Sequence, residues 1–148
     1  MKPILALVLS SLLPLSLAVS VQAAEPDISA LVHSGEEIDL ASFQWLKRPV
    51  VVFADSPEDP RFKEQMARLT AEADVLLDRD VVVLTDTNPA AKSALRTALR
   101  PRGFMLVLVG KDGGVKMRKP HPWTVRELTR RIDKFPDRLR EVEERRAN

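Results

Sequence analysis

Residues 49–61, PVVVFADSPEDPR, decide how the rest of the chain is read. Val50, Val51, Val52 and Phe53 form an unbroken β-branched and aromatic run, too short for a helix and apolar on both faces. Such a run predicts a strand covered on both sides, and with it a sheet containing parallel neighbours. Asp55 to Pro60 then stop the strand and offer a helix its start. Asp59 is placed to accept N–H bonds as N-cap, and Pro60 has its φ pre-set for the first helical position. In α/β sheets the turn at the carboxyl end of such a strand is where sites gather. This turn holds none of the residue types that name a reaction.

Downstream, Phe62, Met66, Leu69, Ala73, Leu76 and Leu77 recur at helical spacing and predict one helix from Pro60 to about Asp78. Val81 to Leu84 read as a second buried strand, and strand, helix, strand at this length demands a right-handed parallel crossover. Thr87 or Asn88 is expected to cap the next helix, with Pro89 at its first position and Ala91, Leu95, Ala98 and Leu99 as its apolar stripe, until Pro101 ends it. Phe104 to Val109 form a third apolar strand. Lys111-Asp112-Gly113-Gly114 then signals a hairpin into Val115 to Arg118. Thr124 and Glu127 spell a capping box for a last helix carrying Leu128, Ile132 and Phe135, which Pro136 kinks or ends. From Asp137 onward nearly every residue is charged, which reads as a solvated, fraying terminal helix.

Upstream, Ile28, Leu31 and Val32 suit either a helical turn or a short strand, and residues 34–37 a turn. Leu40, Phe43 and Leu46, with Trp45 beside them, suit a short helical segment across a sheet edge, and the aromatic pair is expected in the core. At the amino terminus Lys2 precedes an apolar run from Ile4 to Val21, and Val21-Gln22-Ala23 fits the small-residue cleavage rule. We expect a signal peptide over residues 1–23, cleaved after Ala23 or Ala24, an extension over 24–40, one domain over 41–135 and a charged tail over 136–148. The protein is then periplasmic or secreted, with no stable membrane insertion once the signal is gone.

The chain has 148 residues and no cysteine. A mature chain of about 125 residues can supply a core without disulfide staples. It offers no thiolate for thiol–disulfide exchange or peroxide reduction. From Arg100 onward there are 14 Lys or Arg against 7 Asp or Glu, whereas residues 25–99 carry 8 basic and 14 acidic groups. The basic residues are interleaved rather than massed, so we expect this charge asymmetry to be used within the molecule and expect no nucleic-acid partner.

The order of elements, a βαβ unit followed by a ββα hairpin unit around a central mixed sheet, resembles the thioredoxin-like α/β fold. The stretches PVVVFADSPEDPRFKEQMARL, DVVVLTDT and FMLVLVGKDGGVKMR together resemble a family of short secreted bacterial proteins of unknown function. Its peroxiredoxin-like domain recurs in animal extracellular sushi-repeat proteins. The resemblance spans about Ala41 to Phe135, and Leu108 to Lys116 is its most specific piece. It implies the fold and leaves activity unassigned. In thioredoxin-like proteins the reactive cysteine lies in the turn that here reads Asp55 to Asp59. That fold's cis-proline would correspond to Pro101, although Arg102 and Gly103 separate it from Phe104 and leave its isomer open.

The same arrangement brings the turn from Asp55 to Pro60 against the loop from Arg100 to Gly103. We therefore expect at least one ion pair between Asp55, Glu58 or Asp59 and Arg100 or Arg102. The candidate binding corner is Asp55, Ser56, Glu58, Asp59, Arg100, Pro101 and Arg102. Asp86, ending the second strand, adds a carboxylate, but the alternation of a calcium loop is missing, and no metal site or other cofactor is expected. His33 and His121 have no ligand at metal-binding spacing. Ser56 lacks a nucleophile elbow, and residues 111–114 join two strands rather than entering a helix, so they form no phosphate loop. No catalytic residue emerges. The function expected is a non-catalytic binding or interaction module of the cell envelope, its partner an envelope protein or glycan. The alternative is a divergent enzyme, descended from a thiol oxidoreductase, that uses carboxylates or an unknown cofactor.

Overall fold

The computed structural model describes residues 28–148; the expected signal peptide lies outside these. Five strands form one mixed sheet: β1 (Val32–Ser34), β2 (Arg48–Phe53), β3 (Val81–Asp86), β4 (Met105–Val109) and β5 (Val115–Lys119), in the order β1-β3-β2-β4-β5. β1, β3 and β2 are parallel. β4 runs antiparallel to β2, and β5 antiparallel to β4. Every residue of β2 is buried, as its two-sided apolar run demands.

Successive β2 side chains feed two cores. Val50 and Val52 pack with Leu69, Leu76, Leu106 and Leu128, on the side covered by α2 (Pro60–Ala71), α3 (Ala73–Leu77) and α5 (Val125–Ile132). Val51 and Phe53 pack with Leu84, Leu95, Leu99 and Val107, under α4 (Ala94–Leu99) and the segment holding Ile38, Leu40 and Phe43. The α1 turn (Ile28–Leu31) leads directly into β1, so the stretch left open between helix and strand becomes one of each. Among the described residues no helix is long and apolar enough to cross a membrane.

The capping signals hold where their partners are local. Asp59 accepts the Arg61 N–H at 2.9 Å with Pro60 at the first position of α2. Thr124 and Glu127 form the reciprocal capping box of α5. Gly113 takes φ +81° in the β4–β5 hairpin, a conformation natural only to glycine.

Four expectations are corrected. The helix from Pro60 breaks at Glu72, whose ψ of 39° separates α2 from α3, while Ala73 and Leu76 still reach the core. The helix after β3 does not start at Thr87 or Asn88: Pro89–Ala91 form a 3-10 turn, Lys92 is left-handed, and Ser93 caps α4 by accepting the Arg96 N–H. Trp45 is not in the core. Its φ is +66° and it is 68% exposed, because the chain turns there from the 3-10 helix Leu40–Phe43 into β2 and its N–H is held by the Lys111 carbonyl at 2.7 Å.

The fourth correction concerns the carboxyl terminus, which is a docked helix, α6 (Pro136–Ala147), and not a fraying one. It lies at the amino-terminal ends of the parallel strands, where the fully buried Arg48 guanidinium donates to Asp137, to Glu141 at 2.9 Å and to the Arg79 carbonyl at 2.8 Å. Lys111 adds bonds to Glu141 at 2.7 Å and to Asp80 at 2.8 Å. Buried Arg138 and exposed Arg145 both pair with Asp78.

Candidate functional site

The candidate corner forms at the carboxyl end of β2. Residues 55–59 make a tight turn in which the Ser56 carbonyl accepts the Asp59 N–H at 3.2 Å and the Ser56 hydroxyl oxygen accepts the Glu58 N–H at 3.1 Å. The Pro101 loop does reach this turn: a Cβ placed on Gly103, whose φ is +58°, would lie 3.9 Å from the Asp55 carboxylate. Phe104 is buried behind it with the Arg61 guanidinium over its ring at 5.6 Å, so α2 and the start of β4 are linked. All peptide bonds among the described residues are trans, that of Pro101 included.

The expected ion pair across the corner is absent. Asp59 pairs with Arg61 at 2.9 Å and Glu58 pairs with Lys63, both partners lying on the helix that follows. The hydrogen bond from the Arg61 side chain holds the Asp59 carboxyl below its usual range. Short sequence separation wins here, since closing a two- or five-residue loop costs less order than spanning two loops. Arg100, left-handed as the C-cap of α4, and Arg102 are exposed, and among the described residues no ion pair or side-chain hydrogen bond engages either guanidinium. The corner is therefore an open surface carrying Asp55, two unengaged arginines and two locally neutralised carboxylates.

Directly beneath it lies a buried ion pair that involves residues outside the expected corner. Asp86 is 1% exposed and accepts from Arg96 Nε at 2.9 Å, from the Ser93 hydroxyl and from the Asn88 N–H at 3.1 Å. Arg96 also donates to the Ala54 carbonyl at 2.7 Å and stacks 5.4 Å over Phe53, so one guanidinium joins the ends of β2 and β3 to the start of α4. Ser93 is a residue type that caps helices, and it accepts the Arg96 backbone N–H at 3.2 Å. Pro89 offered the stronger signal, and only the buried Asp86 carboxylate decides between them.

On the other side of the corner Gln65, fully buried, exchanges both amide bonds with the Trp123 backbone at 2.8 and 3.0 Å, fixing the Pro120-His121-Pro122 bend against α2. Among the described residues no three His, Cys, Asp or Glu side chains come together to hold a metal.

The arrangement has known relatives in shape. A 2-Cys peroxiredoxin from Plasmodium vivax superposes with a TM-score of 0.53 at 14% identity, over 72% of this chain and 85% of that one. Desulfothioredoxin from Desulfovibrio vulgaris Hildenborough superposes with a TM-score of 0.50 at 22% identity, over 72% of this chain and 98% of that one. These likenesses show a thioredoxin-like α/β fold with a mixed five-stranded sheet and flanking helices. No curated protein matches the sequence. The family described as a domain of unknown function, DUF4174, matches residues 39–141, and the chain belongs to it.

Proposed function

For this cysteine-free member of the family we propose an exported, non-catalytic binding module of the cell envelope that engages its partner, a protein or glycan, through the corner of Asp55, Ser56, Glu58, Asp59, Arg100, Pro101 and Arg102. Export rests on the signal-like residues 1–23 and on the resemblance to secreted bacterial proteins. The observation that carries the binding role is the pair of exposed guanidiniums, Arg100 and Arg102, which no carboxylate among the described residues neutralises. They flank the turn where related folds keep reactive sulfur and where this chain has none. Unengaged arginines on a rigid frame suit a partner that presents carboxylate or phosphate oxygens, since each guanidinium offers a planar fork of donors.

The test is comparative. Chain recovered from a periplasmic fraction should begin near Ala24. Parallel capture from envelope extract with the wild type and with Arg102→Glu should give one partner that the reversal loses. Identical captures with the two baits, or turnover of a substrate that survives Arg102→Glu, would overturn the reading.

A further inference from the structure

A cleft lies at the opposite end of the sheet from the corner, between the β4–β5 hairpin, the Trp45 turn and the α5–α6 junction. Its volume is about 310 Å³, at the small end of ligand pockets. Trp45, Phe135, Pro136, Lys116 and Arg140 line it. Three observations point to a ligand. Trp45 adopts φ +66°, a backbone conformation rarely tolerated by a bulky residue, and it still leaves its ring mostly exposed. The hairpin holds it there through the Lys111 carbonyl and through the Gln44 amide, which donates to the Asp112 carbonyl at 3.3 Å. Strain retained at an exposed aromatic beside a cleft is the pattern of a binding position.

Charge selects the ligand. Lys116 is neutralised by Asp112 at 2.7 Å, Asp137 by Arg48, and Lys111 by Asp80 and Glu141. Arg140 is exposed and has no such partner among the described residues, so the cleft keeps one uncommitted positive charge beside two aromatic rings. We propose that this cleft binds an apolar body bearing one carboxylate, such as a carboxy-terminal apolar residue, with the side chain between Trp45 and Phe135 and the carboxylate on Arg140. This goes beyond the corner and does not depend on it.

The probes are N-acetyl-phenylalanine, its amide, and a pentapeptide ending in phenylalanine with a free carboxyl. Calorimetry, and the Trp45 indole N–H resonance, should report binding of the acid and at least tenfold weaker binding of the amide. If acid and pentapeptide both bind, a free carboxylic acid suffices. If only the pentapeptide binds, the ligand is a chain terminus. Arg140→Gln should weaken binding tenfold or more without altering the fold, since Arg140 is exposed and unbonded. Trp45→Gly, which suits the left-handed position, should remove binding while the protein stays folded by circular dichroism. An amide that binds as tightly as the acid, an unchanged Kd in Arg140→Gln, or no shift of the Trp45 signal with either the acid or the pentapeptide at millimolar concentration would overturn the proposal.

Discussion

Asp59 and Asp86 are both short carboxylates that help start helices, and their surroundings set different magnitudes. Asp59 caps α2 at the surface, so Asp59→Ala should lower the urea midpoint only slightly. Asp86 is sealed beneath the corner with Arg96, and removing one member of a buried pair leaves the other uncompensated. Asp86→Ala should therefore lose roughly 3–5 kcal/mol. Equal losses in the two variants would contradict this ranking. The difference also marks what the sequence makes legible. Asp59 is followed by Pro60 and bonds the residue two ahead, so its role is written locally. Asp86 acts on Ser93 and Arg96, seven and ten residues on, and only the burial of its carboxylate reveals that they start the helix. The expected partners of Arg100 and Arg102 failed for the converse reason: the loops do approach, but Arg61 and Lys63 are nearer in the chain and take the carboxylates first.

Elements that dock through apolar stripes were readable, and the one that docks through charge was not. β2 and β3, α2 and α5 all carry their apolar residues at the spacing of strand or helix. α6 has only Leu139 and Val142 as large apolar residues, and Leu139 is half exposed. Its attachment rests on Arg48, Lys111 and Asp78 meeting Asp137, Glu141 and Arg138, residues 30 or more apart in sequence. Arg48 with Asp137 and Glu141, and Asp78 with Arg138, run in opposite directions between the two halves, and Lys111 meets Glu141 within the second, so the charge asymmetry does not by itself describe the contact. Arg48 also leaves its Nε without a hydrogen-bond partner, and such a network specifies where α6 sits more than it adds net stability. Replacing Asp137 and Glu141 together by Asn and Gln should leave Arg48 buried without a counter-charge and lower stability by roughly 3–5 kcal/mol. Hydrogen exchange separates the docked helix from a fraying one. In the wild type the amides of residues 140–146 should be protected well beyond those of an isolated helix, and in the double variant they should exchange freely while β2 and β3 stay protected. Free exchange of α6 in the wild type would restore the frayed reading.

At the scale of the whole molecule, a cysteine-free sheet of this fold should show no peroxide consumption or insulin reduction that thiol-blocking reagents abolish, and any such activity in a preparation would have to come from another protein. What remains characteristic of the molecule is that the sheet is closed at one end by the buried Asp86–Arg96 pair and at the other by the α6 network, and the second end sets its response to acid. Burial alone would raise the Glu141 carboxyl, but the hydrogen bonds and charges of Arg48 and Lys111 outweigh it and hold it down from 4.5 to about 2. For Lys111 burial likewise opposes the charge, and Asp80 and Glu141 overcome it and raise the ammonium. A carboxylate depressed in the folded state contributes stability that is complete above its unfolded pKa and is lost as pH falls through the folded one. An ammonium raised in the folded state contributes below its unfolded pKa and is lost as pH rises through the folded one. Stability should therefore be flat from about pH 5 to 9, decline below pH 5 towards pH 2, and decline again at strongly alkaline pH. The acid limb attributable to Glu141 is bounded above at roughly 3–4 kcal/mol, since its carboxyl falls from 4.5 to about 2. Urea unfolding across that range should find Glu141→Gln less stable than wild type at pH 7 and approaching it as pH falls towards 2, where the carboxyl is wholly protonated in the unfolded chain and half protonated in the folded one. An acid limb of the same depth in wild type and variant would show that Glu141 is not the group whose protonation loosens the end of the sheet.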